Sequence, residues 1–164
     1  MTDATKTPLY PTELDPTALG DPEPPSEVPD AVDRIPLVYI AGPFSGKDGW
    51  EIAENVHAAN RLAREVARMG ASPITPHAIG AQMAGTETYE FWCAATMKML
   101  RRCDAVVFTS DWERSSGARA EHADAIRSGT PIFYQALGTL EMWDRTGTRS
   151  MQAWIRKRLG RAAQ

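Results

Sequence analysis

Four short strand-like segments, most of them apolar and set apart by segments of helix length, constrain this chain more than any other feature. Leu37-Val38-Tyr39-Ile40-Ala41 stops at Gly42-Pro43, and Ala71 to Thr75 stops at Pro76. Asp104-Ala105-Val106-Val107-Phe108-Thr109 runs into a polar loop, and Pro131-Ile132-Phe133-Tyr134 follows Gly129-Thr130. Runs that are apolar at successive rather than alternate positions suit strands buried on both faces, the condition of a parallel sheet. Between them the spacing predicts a helix from about Trp50 to Met69, with Ile52, Val56, Ala59, Ala63, Val66 and Ala67 inward and Gly70 ending it. Further helices are expected over Glu87 to Arg102 and from the Ser115-Ser116-Gly117 turn to Ser128. Repeated βα units predict an α/β fold: a doubly wound, flavodoxin- or Rossmann-like parallel sheet of four to five strands with helices on both faces.

Residues Met1 to about Arg34 stand apart, holding most of the twelve prolines, many acids and few large apolar side chains. Such a segment buries too little surface to offset ordering, so a disordered or draped arm is expected over 1–34 and a single α/β domain over 35–164. Leu9, Tyr10, Leu14 and Leu19 are available to anchor the arm, including on a neighbouring subunit. With 164 residues and 43% hydrophobic content, one domain with a real core is expected.

A net charge of −3 offers no broad basic surface, which argues against a nucleic-acid partner. The basic residues between Arg145 and Arg161 interleave with Met151, Trp154, Ile155 and Leu159 at helical spacing, the pattern of a docked C-terminal helix with a solvated face. Cys93 and Cys103 have neither zinc spacing nor a disulfide framework, and read as reduced core thiols. No apolar run spans a membrane and no basic-then-apolar leader opens the chain, so a cytoplasmic protein without a membrane partner is expected.

In open α/β sheets ligands bind beyond the carboxyl ends of the strands. That rule gathers the loops Gly42 to Lys47, Pro76-His77 and Ser110 to Ser116 at one edge, where the helix carrying Glu121 begins. On that helix Ala118, Glu121, His122, Ala125, Ile126 and Gly129 share one stripe, which turns Glu121 inward. An unpaired buried carboxylate costs several kcal/mol, so Glu121 needs a partner or a ligand cavity. Tyr39, inside the first strand, would satisfy both groups by bonding to Glu121; without that bond it is ordinary sheet core.

The remaining candidates each have two readings. Gly42, Pro43, Phe44 and Ser45 form either a ligand-cradling loop or a tight strand-to-helix turn; the loop matches neither the Walker nor the dinucleotide pattern. Ser115 or Ser116, with Gly117, either contacts a ligand or caps the helix. His77 and His122 are acid/base candidates or packing residues. Phe91 and Trp92 flank the cleft as packing residues, whereas Trp112, in a loop beside Asp111, is placed to stack on a base. With only three histidines, His57 on an exposed helix face among them, a histidine-rich metal site is not expected.

Val38-Tyr39-Ile40-Ala41-Gly42-Pro43, Cys103-Asp104-Ala105-Val106-Val107 and Ser115-Ser116-Gly117-Ala118-Arg119-Ala120-Glu121, in this order, resemble the nucleoside 2-deoxyribosyltransferase-like superfamily. The resemblance covers about Pro36 to Tyr134. It is closest to an uncharacterised branch with a Tyr-Ile-Ala-Gly-Pro start and a Gly-Trp-Glu-x-Ser-x-Gly-Ala-x-x-Glu centre. It implies that the glutamate matching Glu121 attacks the anomeric carbon of a nucleoside or nucleotide, giving a glycosyl-enzyme that a second base or water resolves. By the same resemblance Tyr39 orients Glu121, Gly42 to Ser45 surround sugar and base, and Ser115 or Ser116 with Gly117 contacts the 5′ end. No cofactor or metal is implied. Pockets of this family are often completed across a dimer, for which the apolar residues around Phe91 to Met99 are available.

One departure bears on the chemistry. The family aspartate that serves the departing base falls, eight residues before Asp104, on Thr96, and a threonine hydroxyl is no proton donor at neutral pH. Asp111, Glu90 and His77 are the alternative donors, and Ser110-Asp111-Trp112 replaces the branch's Pro-Gly-Trp. The sequence therefore predicts an N-glycosidase or 2-deoxyribosyltransferase acting through Glu121. The alternatives are a non-catalytic nucleotide-binding protein and an NAD-cleaving glycohydrolase.

Overall fold

The computed structural model describes residue 32, residues 35–83 and residues 85–161. The arm expected over 1–34, with its anchors Leu9, Tyr10, Leu14 and Leu19, lies outside the described residues apart from Val32.

The chain from residue 35 onward follows the βα alternation. Strand β1 is Leu37–Ala41, helix α1 Gly49–Arg68, β2 Ser72–Ile74, α2 Pro76–Met83 and α3 Tyr89–Leu100. Then come β3 Ala105–Phe108, a 3-10 turn Trp112–Arg114, α4 Ser116–Ser128, β4 Ile132–Gln135, β5 Met142–Trp143 and α5 Met151–Arg161. The sheet order is β2-β1-β3-β4-β5, the flavodoxin arrangement in which the chain reverses direction across the sheet between β1 and β3. Tyr39 pairs in register with Val106, and Ala41 with Phe108, so the ends of both strands open onto the same crevice.

The sheet is not wholly parallel, as the sequence suggested: β5 runs antiparallel to β4, Tyr134 opposite Trp143. The linking loop is too short for a crossover and closes as a hairpin, with Gly138 at φ 72° and Ala136 N–H donating to Glu141 O at 2.8 Å. Helix α2 was not foreseen either. Its eight residues carry Gly80 and no apolar stripe; the signal was Pro76, a residue suited to the first helical position.

Alternation along the strands sends side chains to two cores. Val38, Ile40, Ala105, Val107 and Phe133 pack against Leu62 and Val66 of α1 and against Met151, Trp154 and Ile155 of α5. Tyr39, Ala41, Val106 and Phe108 pack against Leu100 of α3 and Ala118 and Ala125 of α4. Tens of square ångströms of apolar surface per residue leave water here, at about 25 cal/mol per Å², which is the main force holding three layers together. On α1 the inward stripe is Asn55, Ala59, Leu62, Ala63 and Val66, so Ala67 is exposed, contrary to expectation. The amino end of α1 is secured reciprocally: Glu51 N–H donates to Asp48, and the Glu51 carboxylate accepts from Lys47 N–H, both at 2.9 Å.

On α4 the outcome also departs from the simple stripe. Ser115 caps the helix by accepting from Ala118 N–H at 3.2 Å, and Gly129 ends it in the left-handed region at φ 70°. Ala118 and Ala125 are buried, yet Ile126 is 57% exposed, whereas Asp124 is only 2% exposed. Asp124 faces α3, where Arg101 forks its carboxylate at 2.8 and 2.9 Å and Arg127 adds a second cation. The Arg101 hydrogen bond holds its carboxyl below the usual range. Asp104 lies at the opposite end of the sheet from the crevice, accepting from Leu37 N–H at 2.9 Å and pairing with Arg158, so its role is structural. Arg158 also lies over the Trp154 ring, as the docked face of α5 requires. Among the described residues no helix is long and apolar enough to cross a membrane.

Candidate functional site

A cavity of about 630 Å³ opens at the carboxyl ends of β1 and β3. Tyr39 reaches its floor from β1 and Glu121 from the first turns of α4. The Tyr39 hydroxyl donates to Glu121 Oε1 at 2.5 Å. Burial is the largest influence on Glu121 and pushes its carboxyl up to about 7; the Tyr39 and Thr96 hydroxyls act in the opposite direction by favouring the ionised form. Burial and the neighbouring carboxylate drive the Tyr39 phenol far above its ordinary range, so it stays protonated and keeps donating. Thr96, on α3, completes this corner, and its own hydroxyl donates to Cys93 O at 3.3 Å.

One wall is the loop after β1. Gly42, Pro43, Phe44 and Ser45 all line the cavity. Asn55 of α1 fixes the loop by donating to the carbonyls of Phe44 at 3.3 Å and Ser45 at 3.1 Å. Glycine is required at 42 by packing: a Cβ there would stand 2.4 Å from Thr109 Oγ1. His77, at the start of α2, is 5% exposed and its Nε2 lies 3.2 Å from Gly42 O. A carbonyl only accepts, so this contact assigns the proton to Nε2 and leaves Nδ1 as an acceptor without a partner among the described residues. Burial lowers the His77 pKa, which keeps the ring neutral.

The opposite wall is the start of α4, where Ser115, Ser116 and Gly117 line the cavity. The Ser115 hydroxyl is engaged as the helix cap while the residue also lines the cavity. Arg114 extends the wall toward the mouth, held by Asp111 at 3.0 Å and facing Glu51 at 4.0 Å.

Of the residues singled out in the sequence, Tyr39, Gly42, Pro43, Phe44, Ser45, His77, Ser115, Ser116, Gly117 and Glu121 are brought together around this space. Asp111 and Trp112 are placed elsewhere. Asp111 stands behind the wall, accepting from Thr109 Oγ1 at 2.9 Å and holding Arg114. Trp112 turns into an aromatic cluster, its ring centroid 4.4 Å from that of His122 and 5.0 Å from that of Phe108. His122 is also turned away, with Nε2 2.6 Å from Tyr134 Oη. Cys93, read as a core thiol, instead lines the cavity, whereas Cys103 donates to Met99 O at 3.3 Å and burial pushes its thiol up to about 11.

Sequence reasoning did not assign Glu51, Glu87, Tyr89 or Arg114, all of which line the cavity. Asn55 was the readable clue among these supporting groups, a polar residue on an otherwise apolar helix stripe. Among the described residues no three His, Cys, Asp or Glu side chains are grouped to hold a metal ion.

No curated protein matches the chain in sequence. Among solved structures it is distantly similar, at 18% identity and a TM-score of 0.45, to a 2-deoxyribosyltransferase from the psychrotolerant bacterium Bacillus psychrosaccharolyticus, over 60% of this chain and 70% of that one. Residues 36–135 match the family model DUF7768, a domain of unknown function, and the chain belongs to that family.

Proposed function

We propose that the protein processes nucleosides or nucleotides by cleaving the bond between base and sugar, with Glu121 as nucleophile. The observation that carries this reading is the Tyr39–Glu121 hydrogen bond, which aims one carboxylate oxygen from the cavity floor at the sheet's switch point. Glu121 attacks the anomeric carbon as the bond to the base breaks through an oxocarbenium-like transition state. The electron pair leaves with the base, and water or a second base then displaces Glu121, splitting one difficult step into two. Tyr39 positions the carboxylate and supports its ionised form. The Gly42–Ser45 loop surrounds sugar and base, and the first amides of α4 meet the 5′ end, where the helix dipole favours negative charge. In this reading the protein works as a homodimer, its contact built from exposed apolar groups such as Phe91, 50% exposed.

Incubating the protein with a panel of nucleosides and 5′-monophosphates, and following free base, tests the reading. Release by wild type and its loss in Glu121→Ala is the expected result. Thr96 favours a second reading, a nucleotide-binding protein without chemistry, because the position suited to assisting departure holds a hydroxyl. Binding without release from any compound would select it. Nicotinamide release from NAD would select the glycohydrolase variant of the first reading.

A further inference from the structure

We propose that the substrate of this cavity is a nucleoside whose base already carries a positive charge in its glycosylated ring, a pyridinium riboside or an N7-alkylated purine nucleoside. The proposal rests on Glu121 acting as nucleophile and names the substrate class that the surrounding groups suit.

A neutral base leaving as an anion needs a proton from the site, and such general-acid help contributes about 10²–10⁴-fold in rate. The groups nearest Glu121 do not supply one. Thr96 offers a hydroxyl, which is no acid at neutral pH and already has Cys93 O and the Glu121 carboxylate within its reach. The Tyr39 proton is held in the bond to Glu121, and burial keeps that phenol from releasing it. His77 is kept neutral by burial, and its single N–H faces Gly42 O. Glu51 accepts from Lys47 N–H and faces Arg114.

The charge around the space points the same way. Among the described residues Glu51, Glu87 and Glu121 line it, against the one guanidinium of Arg114, which Asp111 already holds. Phe44, Tyr89 and Trp92 supply aromatic surface to the same cavity. Carboxylates together with aromatic faces suit a flat cation, which draws on Coulomb attraction and on the ring quadrupoles.

For such a substrate the step balances without a donor. Glu121 Oε2 or Oε1 forms a bond to C1′, the C1′–N bond breaks, and its electron pair neutralises the positive ring as the base departs. Water then bonds to C1′, the carboxylate leaves with the ester electron pair, and the water's proton passes to solvent.

Release of free base by the full chain is compared within two matched pairs: nicotinamide riboside against its uncharged dihydro form, and 7-methylguanosine against guanosine. The expected result is a kcat/KM at least about 10²-fold higher for each charged member, the size of an absent general acid, and loss of that release in Glu121→Gln. Glu87→Gln is expected to raise KM for the charged members more than it lowers kcat. If guanosine and the dihydro riboside are cleaved as efficiently as their partners, or if Glu87→Gln abolishes their turnover as a lost acid would, the charge inference is overturned and the Glu121 reading stands. If none of the four compounds nor the wider nucleoside panel releases base, the Glu121 reading falls with it.

Discussion

Tyr39 Oη lies 2.5 Å from Glu121 Oε1, and this single hydrogen bond joins the middle of the sheet to the second turn of α4. With the Thr96 hydroxyl it opposes burial, which raises the Glu121 carboxyl to about 7. Removing the donor in Tyr39→Phe leaves burial less opposed, so the carboxyl pKa rises further. On the proposed reading, in which ionised Glu121 is the attacking group, the rising limb of kcat/KM against pH is expected near 7 in the wild type and at higher pH in the variant. A limb that stays in place in Tyr39→Phe would show that the phenol does not tune this carboxylate.

The same raised pKa has a cost in stability. Glu121 titrates near 4.5 in an unfolded chain and near 7 in the folded one, so between those values the folded state holds the proton more tightly. The folded state therefore loses stability as pH climbs through this window, and the loss is complete above 7. Allowing for solvent in the cavity, it amounts to about 2 kcal/mol. Glu121→Gln keeps an acceptor for Tyr39 without the charge. Urea titrations should find its advantage over wild type absent at pH 4, growing to about that size by pH 8.

How much of this was legible in the chain depends on how each residue earns its place. Strands β1 and β3 could be read because burial on both faces demands an unbroken apolar run, as in Ala105 to Phe108, whereas the half-buried β2 was marked by its place between Gly70 and Pro76. β5 has two residues and α2 no stripe, so neither carries a period to detect. Glu121 stood out as a carboxylate on an apolar stripe, yet Asp124 is the more buried of the two. Its partner Arg101 lies 23 residues away, on a different element, and no local pattern announces that pairing. Trp112 and Asp111 follow the strand whose end faces the crevice, but a loop residue's direction is set by tertiary packing, here by the rings of Phe108 and His122 and by Thr109 and Arg114.

Gly42, in the loop after β1, leaves no room for a side chain. An alanine Cβ would sit 2.4 Å from Thr109 Oγ1 and 2.9 Å from Thr109 Cγ2, so Thr109 must turn and release Asp111. Gly42→Ala should destabilise the fold by about 1–3 kcal/mol, as overpacking does. Thr109→Ala removes both offending atoms. The double variant should then be more stable than the sum of the two single losses predicts, a coupling that a double-mutant cycle in urea measures directly. Additive losses would show that the loop yields without pressing on Thr109.

Asp124 and Glu121, three positions apart on α4, should give opposite signs in pH-dependent stability. The Arg101 hydrogen bond, with Arg127 beside it, holds the Asp124 carboxyl below its usual value, so the unfolded chain binds that proton more tightly than the folded one. Its stabilising contribution is therefore complete above the ordinary aspartate range and is lost as pH falls through the depressed folded value. Arg101→Ala removes the forked donor and leaves the carboxylate with Arg127 alone. The urea midpoint of this variant should fall well below wild type at pH 7, and the gap should narrow as pH falls below the ordinary aspartate range, where protonation begins to remove what the arginine supports. A difference as large at pH 3 as at pH 7 would assign the Arg101 contribution to packing of its alkyl stem against α4 rather than to the charge pair.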